Sequence, residues 1–128
     1  MSRFDEDNTK VLSENLYSTI DSNDSSYSDL FKKIIEKTEA LEEDGFRLRV
    51  ESVLSIEFLV VRLRLLITQE HSNVKTILNK RDCPPTWIPI FKKRDVHLSA
   101  LQQRLTDLRL DVEVLQRLIH SYKTINFR

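Results

Sequence analysis

Between Leu98 and Tyr122 the chain repeats apolar residues at alternating steps of three and four: Leu98, Leu101, Leu105, Leu108, Val112, Leu115, Ile119 and Tyr122. On an α-helix this spacing gathers the side chains into one narrow stripe, which water would wet along its whole length unless another helix covers it. The repeat predicts helix pairing, and the rest of the chain must supply a partner.

A second long segment answers that requirement. From Phe46 to Asn79 there is neither Gly nor Pro, and Val53, Ile56, Val60, Leu63, Ile67, Val74 and Ile77 continue a 3,4 repeat in which Glu70 takes one position. A second stripe, Leu54, Phe58, Val61 and Leu65, lies beside the first. Phe46, Leu48 and Val50 alternate with Arg47, Arg49 and Glu51 as a half-buried strand would. The unbroken length and the lack of a hairpin signal favour a helix over about 48–79. Glu70 either pairs with a base across the interface or marks where the apolar contact loosens, and loosening is the reading preferred on sequence.

The punctuation between helices is sparse. Pro84, Pro85 and Pro89 remove backbone donors and break the chain over Arg81 to Pro89, so the last helix is expected to start near Lys92 to Asp95 and run to about Thr124. Gly45, the only glycine, can adopt the left-handed conformation of a helix C-terminus. It would end a helix capped by Ser28 that carries Leu30, Phe31, Ile34, Ile35, Thr38 and Leu41 on one side. Residues 1–27 read as an acidic flexible segment. Within it a short amphipathic helix with Val11, Leu12, Leu16 and Ile20 could follow a cap at Asn8, and Asp21 to Ser26 form a polar link to a helical domain at 28–128.

These lengths predict an all-α fold. It is an elongated antiparallel helical hairpin of coiled-coil character, joined at one end by the third, shorter helix to make a three-helix bundle. The opposite end should project as a two-helix tip carrying the proline segment. With one Gly and three Pro in 128 residues, sheet-rich folds that need frequent turns are excluded. Cys83 stands alone and offers no internal disulfide, which with the acidic start at Met1 to Lys10 suggests an intracellular protein of the cytoplasm or nucleus. The apolar run Phe58 to Ile67 is interrupted by Arg62 and Arg64, so no membrane span is expected. The formal charge of zero conceals a split: residues 1–45 hold 12 acids and 5 bases, a balance of −7, and residues 46–128 hold 8 acids and 15 bases, a balance of +7.

Catalytic chemistry finds little footing. His71, His97 and His120 lack the spacing that sets two imidazoles on one helix face, Cys83 has no neighbouring cysteine, and no phosphate-cradling Gly-rich loop or nucleophile motif occurs. Neither metal, cofactor nor small-molecule substrate is expected. Glu42 and Glu43 sit at a helix end, where solvation is the ordinary role of paired acids.

The sequence therefore points to a non-enzymatic scaffold subunit that binds other helical proteins along exposed seam residues. The candidates are Leu65, Leu66, Ile67, Val74, Ile77, Leu78, Leu98, Leu101, Leu105 and Leu108. A hetero-oligomer is the preferred arrangement. A homodimer is also compatible with Val112 and Ile119 at one core position and Leu101, Leu108 and Leu115 at the other. The alternative is an adaptor for nucleic acid or an acidic partner, using Trp87 on a stiff loop among Lys80, Arg81, Lys92, Lys93 and Arg94. Against it, the basic cluster is small and the chain is not basic overall, and Trp87 could instead fold back with Ile88, Ile90 and Phe91 to plug the hairpin end.

Overall fold

A computed structural model describes the backbone of residues 3–43 and 50–126, with side chains over 8–41 and 52–109 and at positions 113, 114, 116, 117 and 120. Three helices account for nearly all of it: α1 Arg3–Glu43, α2 Val50–Leu78 and α3 Ile88–Asn126. No strand occurs among the described residues. The fold is the all-α three-helix bundle that the periodicity predicts. The strand-like alternation at 46–49 and the Gly45 cap lie outside the described residues. So do the side chains of Val112, Leu115, Ile119 and Tyr122.

Neighbouring helices run in opposite directions, as the pairs that touch across them establish. Arg94 of α3 meets Glu70 of α2, and further along, where α3 advances and α2 recedes, Gln116 donates to Glu57. Between α1 and α2, Tyr27 reaches Glu70, and Thr9, earlier in α1, reaches Asp82 just beyond the end of α2. α2 is the middle member: its core line packs against both α1 and α3, whereas α1 and α3 meet only through side chains. The fully buried line Ile56, Leu63, Ile67, Val74 and Ile77 of α2 faces Ile34 on one side and Phe91, Leu98 and Leu105 on the other.

The first helix departs from expectation in length. α1 is 41 residues long, the longest of the three, and runs without interruption through Asp21 to Ser26, where a link was expected; Asn8 and Ser28 lie inside it and cap nothing. The reason is a 3,4 spacing partly carried by polar residues. Thr9, Ser13, Leu16, Ile20, Asn23, Tyr27, Leu30, Ile34 and Leu41 all turn towards the bundle. Thr9 and Ser13 are fully buried, their small side chains suiting a close approach of helices; the Ser13 hydroxyl donates to the Thr9 carbonyl, and the Thr9 hydroxyl donates to Asp82 at 2.9 Å.

That extra length changes the proline end. α1 lies over it, so it is not a bare two-helix tip. Trp87 is half-buried with its ring centroid 5.4 Å from that of Tyr17 and 5.9 Å from that of Phe91. The Trp87 amide donates to the Pro84 carbonyl, closing a turn, and the Trp87 carbonyl accepts the first α3 hydrogen bond from Phe91. α3 thus begins at Ile88, earlier than expected, because Pro89 falls in the first turn, where a missing N–H breaks no helical hydrogen bond.

Candidate interaction surface

The outward face of α2 is the largest run of apolar side chains that the described bundle leaves uncovered. Leu54 is 56% exposed, Phe58 66%, Val61 39% and Leu65 63%; Leu66 is exposed too, but farther round the helix. At 3.6 residues per turn the first four occupy a strip about 60° wide, nearly opposite the buried line of the same helix. α2 therefore carries two apolar faces, and the bundle uses one. Fully burying such a side chain contributes ~1.5–3 kcal/mol, so four of them in a row are a substantial unused driving force.

Polar residues, three of them charged, frame the strip. Glu57 and Arg64, seven residues apart, lie along one flank, and Arg62 and Gln69, also seven apart, lie along the other; all four are exposed. Glu57 accepts a hydrogen bond from Gln116 at 3.0 Å. Among the described residues neither Glu57 nor Arg64 forms an ion pair.

Behind this face, Glu70 anchors a polar cluster that ties the three helices. Its Oε2 accepts from Arg94 Nε at 2.6 Å, and its Oε1 accepts from Arg94 Nη2 at 2.9 Å, from the Tyr27 hydroxyl at 2.8 Å and from Asn23 at 3.0 Å. Arg94 Nη1 also donates to Asp24 at 2.8 Å, and His71 pairs with Asp95 nearby. Burial alone would raise the Glu70 carboxyl, but the hydrogen bonds from Arg94, Tyr27 and Asn23 and the Arg94 charge hold it below the usual carboxylate range. Burial, then the hydrogen bond to Glu70, pushes the Tyr27 phenol well above its ordinary value. Burial would lower Arg94, but its carboxylate partners outweigh this and keep it charged. Glu70 is thus a paired charge and marks no loosening of the seam, a correction to the sequence reading. Among the described residues no buried side-chain nitrogen or oxygen lacks a hydrogen-bond partner, so the cluster's polar groups are spent on one another.

The structure redistributes the expected contact residues. Ile67, Val74, Ile77, Leu98 and Leu105 are buried within the chain, and Leu78, Leu101 and Leu108 are partly buried against the same core. The first five are spent on the chain's own core, and the last three keep part of their surface open. Leu65 and Leu66 are open, and the strip extends from Leu65 towards Leu54. At the proline end, Arg81, Lys92 and Lys93 are exposed and Lys80 is half-buried, but Arg94 turns inward to Glu70 and Trp87 packs against Tyr17. Of the basic surface expected there, Arg94 is drawn into the core and Trp87 is half-buried, while Arg81, Lys92 and Lys93 stay at the surface.

A concavity of about 520 Å³ opens between α1 and α3 around Phe31, Ile35 and Leu101, with the Arg104 guanidinium 4.4 Å above the Phe31 ring. Its rim mixes Asp24 and Glu36 with Lys32 and Arg104 and selects no one charge. Among the described residues no group of three or more His, Cys, Asp or Glu could hold a metal ion, and no helix is long and apolar enough to cross a membrane. Compared with known proteins, the chain matches no protein family, no curated protein and no solved structure.

Proposed function

We propose that this protein is a non-enzymatic helical subunit that joins an assembly by laying the outer face of α2 against a helix of another chain. The observation that carries the reading is the exposed strip Leu54, Phe58, Val61 and Leu65 on a helix whose opposite face is already buried. A helix with apolar side chains on two opposite faces is suited to neighbours on both, and the bundle covers only one of the two. The polar cluster supports a structural role, because Glu70, Arg94, Tyr27, Asn23 and Asp24 hydrogen-bond to one another across all three helices. Partners that fit are amphipathic helices presenting their own 3,4 stripe, in another protein or in a second copy.

Photo-cross-linking in the native cells tests this. A photoreactive residue at position 58 is expected to give a discrete adduct that Leu65→Glu abolishes. The same residue at position 96, where an isolated exposed valine stands, should give none. No adduct from position 58 would overturn the reading.

A further inference from the structure

The α2 strip is its own complement when reversed. The steps from Leu54 to Phe58 to Val61 to Leu65 are four, three and four, a spacing that is the same from either end. Laid antiparallel on itself, the strip sets Leu54 against Leu65 of the partner subunit and Phe58 against the partner's Val61. Long meets long and the large ring meets the smallest member, so the layers are even in volume. A parallel arrangement would stack Phe58 on Phe58 and Val61 on Val61, leaving one layer crowded and the next loose, with the helix dipoles aligned unfavourably.

The flanking charges agree with the antiparallel arrangement. The two-fold axis of such a pair carries each flank onto the same flank of the partner, which brings Glu57 beside the partner's Arg64, twice per dimer. The offset is about 3 Å along the axis at 1.5 Å per residue, within reach of an Arg side chain. We infer that the occupant of the α2 outer face is a second copy of this chain, docked antiparallel. This inference rests on the subunit reading above and names its partner.

Charge exchange tests it on the full-length chain, with sedimentation equilibrium as the readout. The unaltered protein is expected to be a dimer at roughly micromolar concentration. Phe58→Glu should give a monomer with an unchanged helical circular dichroism spectrum, because Phe58 contributes nothing to the core. Glu57→Arg and Arg64→Glu should each weaken the dimer by about tenfold by opposing like charges at two places. Combining the two should restore it.

In a parallel pair Glu57 would instead lie near the partner's Arg62, and only Glu57→Arg with Arg62→Glu would restore association; that result overturns the antiparallel copy. A dimer indifferent to Phe58→Glu overturns the strip as the interface. A purified chain that stays monomeric, while position 58 cross-links in cells to a chain of different mass, overturns the second copy and leaves the subunit reading standing. A monomer with no adduct overturns both.

Discussion

Arg94 holds Glu70 in a two-pronged grip, Nε on one carboxylate oxygen at 2.6 Å and Nη2 on the other at 2.9 Å, with only 6% and 5% of the two side chains exposed. The residues lie on α3 and α2, and Asn23, Asp24 and Tyr27 of α1 close the cluster from the third side. A charge that cannot reach water must be paired, so this grip fixes the register of the helices.

Removing one partner should therefore cost far more than removing both. Arg94→Met is expected to lower unfolding free energy by about 3–5 kcal/mol, because Glu70 is left charged in the interior. Replacing both, Arg94→Met with Glu70→Leu, should recover most of that loss. Urea denaturation checks it, and a single variant costing no more than the double would refute the pairing.

Acid should unmake the same cluster. The Glu70 carboxyl is depressed in the folded protein, so its contribution is fully present above the ordinary carboxylate value of 4.5 and is lost as pH falls through the lower folded value. Glu70→Gln is expected to flatten the acid limb of a stability–pH profile. An equally steep limb in that variant would show that other carboxylates carry it.

Alkali should act through Tyr27. Its phenol is raised above the ordinary 10.0, so its contribution is whole below that pH and declines as pH rises beyond it, when the unfolded chain ionises first. Tyr27→Phe should lose this alkaline decline. Absorbance of the ionised phenol should likewise show Tyr27 resisting titration in the folded protein.

Two residues separated by one position should behave as opposites. Ile67→Ala, at a fully buried site, is expected to destabilise the purified protein by about 2–5 kcal/mol, whereas Leu65→Ala at an exposed site should change its monomer stability by no more than about 0.5 kcal/mol. Thermal unfolding at concentrations below any association separates the two. Equal effects would mean that α2 is rotated from the orientation described.

The N-terminal half of α1 has its own test at the proline end. Ser13 is fully buried, and Ser13→Leu should overpack the contact and cost about 1–3 kcal/mol. Because Trp87 is the only tryptophan, Tyr17→Ala should shift its fluorescence to the red by wetting the indole. An unshifted emission would separate Tyr17 from Trp87.

The amino-acid order by itself determined that the chain is helical, roughly where α2 ends, and that α2 carries apolar residues on two faces. Those properties follow from spacing along a single helix, a local matter of 3.6 residues per turn. The tertiary structure alone decided which face of α2 is inside, because burial depends on residues brought from elsewhere in the chain. Asn23 and Asp24 look like a polar link until Glu70 and Arg94, 47 and 70 positions away, give them partners, and Thr9 and Ser13 look like surface until α1 is laid against α2. Hydrophobicity cannot mark such positions, since a polar group enters a core only when its hydrogen bonds are met there, and the groups that meet them are chosen by the fold.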